Sequence, residues 1–228
     1  MTGGQLPLTL PHRPALGRED FLTAACNEQA VAWLERWPDW PVHALALFGP
    51  PGCGKSHLLA AFAAAQDGVV IIDRAALTVA MVPDLVEKAR VVAVDRLDES
   101  DDGEDALFHL WNLTKETGRH LLLAGREAPA RLGVRLPDLR SRLSSVLAVG
   151  IGAPDESLLA AVLVKLFADR QLKVTADLVS YTLSRSERSF AAIGRVVDAL
   201  DRASLAAHRA VTVPLARAVL ESLDTEER

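Results

Sequence analysis

The chain has 228 residues, half of them apolar, with 25 Lys and Arg against 30 Asp and Glu, a formal charge of -5. This is enough for one sizeable core, or one core and a small appended domain, and the acidic balance speaks against strong direct DNA binding through a basic face. No run of about 18 apolar residues can span a membrane, Met1–Leu10 lacks the basic-then-apolar plan of a signal peptide, and two cysteines, Cys26 and Cys53, cannot make a disulfide framework, so a reducing, cytoplasmic setting is expected.

Residues 1–15 hold two glycines and three prolines, a composition that predicts a flexible N-terminal tail. Asn27 can cap a helix running to about Trp37, with Val31, Leu34 and Trp37 inward, ended by Pro38 and Pro41. Apolar runs at 43–48, 69–72, 90–94, 120–124 and 146–149 alternate with helical patterns and read as five buried strands. The helix before the fourth is marked by Leu107, Leu110, Trp111 and Thr114. Strands alternating with helices imply a parallel sheet covered on both faces. After Gly152 the strands stop. Asp155 and Thr175 can cap two helices, the first with Leu158, Leu159, Val162, Leu163 and Leu166 on one face; a third carries Phe190, Ile193, Val197 and Leu200; Thr212-Val213-Pro214 starts a short last one. The expected fold is α/β: a P-loop five-stranded parallel sheet sandwiched by helices over 16–152, followed by a small all-α unit over 153–228.

Gly49 to Ser56 (GPPGCGKS) matches GxxxxGK[ST] in full, after a predicted strand and before a helix, the context that pattern needs. Its glycines let the backbone wrap close to phosphate oxygens, and successive N–H groups with the positive helix end favour the anion. Pro50, Pro51, Gly52, Cys53, Gly54 and Lys55 are candidate nucleotide contacts, with Lys55 reaching the β and γ phosphates and Ser56 ligating Mg2+. His57 borders the site, though packing is a more ordinary use of it than chemistry. Val91–Asp95 (VVAVD) adds an acid at the end of a buried strand, able to hold hydrated Mg2+.

Arg140 and Arg142 lie in LPDLRSRLSSVL. They read either as solvated surface arginines or as an arginine finger aimed at a nucleotide on a neighbouring subunit, worth about 10³–10⁵ in rate. Arg188, in SERSF, is equally a surface residue or a phosphate contact. The six histidines have no zinc-ligand spacing. Trp33 and Trp37, at helical spacing, read as core, and the acidic run from Asp98 to Asp105 as a solvated loop and helix start, with a docking patch as the alternative.

Together these residues resemble the AAA+ initiator clan, and within it the Hda family, the DnaA-related regulators of bacterial replication initiation. The resemblance covers nearly the whole chain. GPPGCGKS resembles Walker A, VVAVD Walker B, and Phe21-Leu22 followed by Asn27 the segment that lies against adenine. LPDLRSRL resembles the arginine-finger box, which places the finger on Arg142, and ERSF the second sensor, on Arg188; LDRASL at 200–205 is similar to a stretch of the family's last domain. Gln5, Leu6, Leu8 and Leu10 in QLPLTL resemble the motif that docks on the replicative sliding clamp; such a tail would bind weakly alone and gain from two copies on one ring. The resemblance implies ADP or ATP as ligand and the clamp and DnaA as partners; a finger of this kind could also act between identical copies, in a homodimer. The helix-turn-helix that DnaA carries after its helical bundle has no counterpart before Arg228.

The sequence departs from a working hydrolase. Where such an enzyme has a second acid after the Walker B Asp, Arg96 stands, with Asp98 two residues on; near the first sensor stand Arg126 and Glu127. Arginine cannot accept a proton at neutral pH, so weak hydrolysis is expected. Two other readings remain: an independent AAA+ ATPase such as a helicase loader or transposition helper, which should keep that acid, and a P-loop small-molecule kinase, which should carry an arginine-rich lid.

Overall fold

The structure is a computed structural model and describes residues 22–99, 103–207 and 209–226. Phe21 and the tail residues Gln5, Leu6, Leu8 and Leu10 lie outside these.

The apolar runs form strands whose ends fall within one residue of those expected: β1 (Ala44–Phe48), β2 (Val69–Asp73), β3 (Val91–Asp95), β4 (His120–Gly125) and β5 (Leu147–Gly150). They make one parallel sheet of order β2-β3-β4-β1-β5. Successive side chains point to opposite faces: Ala44 and Ala46 enter one apolar layer with Val92, Val94, Leu121 and Leu123, while Leu45 and Leu47 enter the other with Val91, Ala93 and Leu122. Burial on both faces is why these runs are apolar throughout.

The first layer is completed by α3 (Val82–Lys88), α4 (Glu104–Glu116) and α5 (Pro137–Ser144) through Val82, Val86, Leu107, Leu110, Trp111, Leu139 and Leu143. The second is completed by α1 (Glu28–Glu35) and α2 (Lys55–Ala65) through Leu34, Leu58, Leu59 and Phe62. Trp37 and Trp40 are buried in the second layer and Trp111 in the first, whereas Trp33 is only partly buried. The helix α1 stops two residues short of Trp37, and Asn27 does not cap it; its side chain turns back to the preceding residues.

Beyond β5, α6 (Glu156–Asp169), α7 (Ala176–Leu183), α8 (Phe190–Ala207) and α9 (Val213–Glu226) enclose a core of their own around Leu163, Phe167, Leu178, Ile193, Val197 and Leu200. Asp155 caps α6 by accepting from Leu158 N–H at 2.7 Å, and Thr175 caps α7 by accepting from Leu178 N–H at 3.3 Å. The last helix is 14 residues long rather than short, because Ala216, Val219 and Leu220 carry its buried face onward. Among the described residues no helix is long and apolar enough to cross a membrane.

Candidate functional site

The phosphate loop links the C-terminal end of β1 to α2. Gly52 and Gly54 have φ of 69° and 98°, a left-handed backbone that suits glycine. Space demands glycine too: a Cβ at Gly52 would lie 2.6 Å from Ser189 Cβ, and one at Gly49 would lie 2.2 Å from Ile151 O. The loop is thus held between the end of β5 and the start of α8. Phe190 N–H donates to Gly52 O at 2.9 Å, and the Phe190 ring stands 3.2 Å from where a Gly54 Cβ would be. Buried Ser189 accepts from Ala192 N–H at 3.1 Å and so starts the helix that abuts the loop. Neither Ser189 nor Phe190 was marked as a loop contact by the sequence; the signal was their adjacency to Arg188.

Lys55 Nζ donates to Gly49 O at 2.7 Å and Pro50 O at 2.9 Å, and lies 3.6 Å from Cys53 Sγ. Pro50, Pro51, Ser56 and His57 are exposed, while Cys53 is buried. The cradle fits a polyphosphate: its backbone bends through left-handed glycines, its lysine is at hand, and α2 begins at its floor. For Mg2+ the fitting groups are the Ser56 hydroxyl and Asp95, whose Oδ1 accepts from Arg96 N–H at 2.8 Å, leaving its second oxygen.

The edge beside Asp95 is laced by ion pairs. Arg96, at φ 54°, pairs with Asp73 at the end of β2 and with Glu99 Oε2 at 3.7 Å. Arg126, after β4, pairs with Glu99 Oε1 at 2.9 Å and Asp98 Oδ2 at 3.7 Å, and its N–H donates to Asp98 Oδ1 at 2.8 Å. Asp98 is therefore committed to Arg126. The acidic run is also more than a solvated stretch, since Glu104 accepts the N–H groups of Arg135 and Leu136, each at 2.8 Å; burial, the largest single effect, raises its pKa, but these two bonds and the charges of Arg135 and Arg74 together hold its carboxyl below the ordinary range.

Arg142 lies elsewhere. In this parallel sheet α5 descends from the C-terminal edge to the start of β5, so its last turn lies towards the edge opposite the phosphate loop. Arg142 is half-buried. Its guanidinium lies 4.4 Å above the Phe108 ring, and its Nη1 donates to Asn112 Oδ1. Both partners are neutral and both come from α4; among the described residues no carboxylate pairs with it. Arg140 is exposed. Arg188, at the mouth of the loop, makes a long contact with Glu156 Oε2 at 3.4 Å, both side chains largely exposed. The structure thus gathers Lys55, Ser56, Asp95 and Arg188 around one edge and leaves Arg142 apart.

Residues 155–220 match the family described as Hda, lid domain. A curated relative from Haemophilus influenzae, described only as an uncharacterized protein, is 29% identical over 76% of this chain and 80% of its own. Domain III of the Thermotoga maritima replication initiation protein DnaA superposes with a TM-score of 0.79 at 18% identity, over 93% of this chain and 98% of that one. AMPPCP-bound DnaA from Aquifex aeolicus gives 0.66 at 18%, over 82% and 65%, and the T. maritima Holliday junction branch migration motor RuvB 0.67 at 13%, over 87% and 68%. The fold is that of the AAA+ proteins, with an Hda-type lid.

Proposed function

We propose that this Hda-like protein, which carries an Hda-type lid on a DnaA-like AAA+ fold, restrains the initiator DnaA by lending it an arginine. In this reading the chain is a cytoplasmic nucleotide-binding module that holds ADP or ATP with Mg2+ through its phosphate loop, Ser56 and Asp95. It docks on the DNA-loaded sliding clamp through Gln5, Leu6, Leu8 and Leu10, and presents Arg142 to ATP held by DnaA. Charge that builds on the transferring phosphoryl group is neutralised by the guanidinium, DnaA hydrolyses its ATP, and a second initiation is blocked.

The observation that carries this reading is the setting of Arg142. It stands away from the chain's own phosphate loop, on a ring and an amide that orient it without neutralising it. A guanidinium has five N–H donors, and Asn112 engages it as a neutral acceptor, so donors and full charge remain for an incoming triphosphate. The same half-buried group could meet a second copy of the chain, which would make a homodimer an inactive store.

Within the chain, Lys55 from the loop and Arg188 from the lid would share the bound phosphates and draw the lid onto the sheet. That would fix the face on which α4 and α5 stand. Own hydrolysis is weak in this account. Arg96 cannot accept a proton and is tied to Asp73 and Glu99, and Asp98 is held by Arg126; these pairings speak against an independent ATPase. The test combines the protein, a DNA-loaded clamp and ATP-bound DnaA. Arg142→Ala and Gln5→Ala should each abolish stimulation, with clamp binding kept only in the former; a native chain that leaves DnaA turnover unchanged would refute the proposal.

A further inference from the structure

Helix α5 begins without a cap of its own. Leu136, at the position before it, has no side-chain oxygen to offer, and Pro137 opens the helix without an N–H. The acceptor comes from another element. Glu104, in the first turn of α4, takes the Arg135 N–H on Oε1 and the Leu136 N–H on Oε2, each at 2.8 Å. Its carboxyl is held below the ordinary range, so it is ionised at neutral pH, and a negative charge suits the positive end of a helix. Bonds to a charged acceptor are stronger than neutral ones.

Glu104, Phe108 and Asn112 follow one another at intervals of four, which puts them on one stripe of α4. The first holds the backbone that leads into α5. The other two hold Arg142, in its last turn, by a ring face and an amide oxygen. Start meets start and end meets end, so the two helices run side by side in one direction. Helix α4 is itself fixed on the sheet by Ala106, Leu107, Leu110 and Trp111, all buried. The packing of α5 is less complete: a cavity of about 190 Å3 remains beside Glu104, lined by Leu107 from α4 and by Leu139 and Leu143 from α5. Apolar packing is also non-directional, which leaves the polar bonds to set where along α4 the helix α5 lies. We propose that Glu104 is a positioning residue for Arg142: its carboxylate pins the start of α5 and, through the helix between Leu136 and Arg142, fixes where the guanidinium meets a partner's triphosphate. The proposal rests on the finger reading above and adds an anchor for it.

The test is single-turnover ATP hydrolysis by DnaA on a clamp-loaded duplex, titrated with the native chain, Glu104→Gln and Glu104→Asp. Glutamine keeps the size but turns one acceptor into a donor facing an N–H; aspartate keeps both acceptors on a shorter stem. In Glu104→Gln the rate at saturation should fall at least about tenfold, as small misplacements of a reacting group do. The half-saturating concentration and the affinity for Mg-ADP should stay unchanged, and the Arg135 and Leu136 amides should exchange hydrogen faster. Glu104→Asp should recover part of the saturated rate. A general loss of structure would instead weaken ADP binding and raise the half-saturating concentration; that pattern, or a native saturated rate in Glu104→Gln, would overturn the proposal. If Glu104→Gln does not fold, Leu136→Pro removes one of the two N–H groups at a φ of -67°, which proline adopts. The same fall in saturated rate is then expected, and a native rate there is equally contrary. Failure of the native chain to stimulate, or stimulation kept by Arg142→Ala, would sink the finger reading and this proposal with it, a result distinct from a fault confined to Glu104.

Discussion

Three arginines on this sheet domain have the same chemistry and different neighbours, and the neighbours decide what each can do. Arg96 and Arg126 lie among Asp73, Asp98 and Glu99, so their charge is consumed locally and these three carboxylates are engaged by guanidinium groups instead of being placed to draw a proton from water. Purified protein should accordingly turn over ATP no faster than about 10⁻³ of an ordinary hydrolase of its class, the deficit expected when a general base is missing; steady-state phosphate release measures this. Arg142 has instead Phe108 and Asn112. Phe108→Ala and Asn112→Ala should each lower stimulation of DnaA by roughly fivefold, through loss of one orienting contact worth about 1 kcal/mol, while leaving binding to the clamp intact. Titration of clamp binding beside the rate separates the two effects. Sequence alone left Arg142 open between finger and surface residue because its contacts come from α4, some thirty positions earlier, and no local pattern encodes them.

At the scale of elements, the phosphate loop packs directly against the start of α8. Gly52→Ala would place a methyl 2.6 Å from Ser189 Cβ on a backbone at φ 69°. A left-handed alanine alone costs about 1–2 kcal/mol, so nucleotide affinity should fall about tenfold or more, checked by titration calorimetry. At the opposite edge of the sheet, His43 Nε2 meets Thr114 Oγ1 at 3.0 Å, and Thr114 gives its hydroxyl hydrogen to Leu110 O at 2.8 Å. His43 therefore donates through Nε2, and its buried Nδ1 has no partner among the described residues. Burial first, then the His120 and Lys115 charges, lower its pKa to about 4. Above the unfolded value near 6.5 both states are neutral. As pH falls towards 4 the unfolded chain takes up a proton that the folded one refuses, so stability is lost across that window. Melting temperature should decline from pH 7 to pH 4.5 in the native chain and decline less in His43→Phe. The strands and their order of burial were legible because Val, Ile and Leu runs bounded by polar residues admit little else. The length of α9 and the failure of Asn27 to cap α1 were not: the first depends on packing against α7 and α8, the second on a turn that competes for the same amide.

For the whole molecule, the phosphate-loop edge lies where the sheet layers meet the separate core of the last four helices, and Arg142 lies on a different part of the surface. The phosphate loop was readable in full from eight consecutive residues, because backbone wrapping of an anion demands that spacing; the separation of Arg142 from it was readable only from topology. The clamp-docking reading of Gln5, Leu6, Leu8 and Leu10 lies outside the described residues. It predicts that Leu8→Ala lowers clamp affinity about tenfold, by loss of one buried leucine, and that the defect narrows when two tails can engage one ring. The most direct measurement is the single-turnover rate of ATP hydrolysis by DnaA on a clamp-loaded duplex, with saturating native or Arg142→Ala protein. The account predicts a fall of at least about 10³ with Arg142→Ala, to the unstimulated rate of DnaA alone. Stimulation by Arg142→Ala equal to that of the native chain would contradict it.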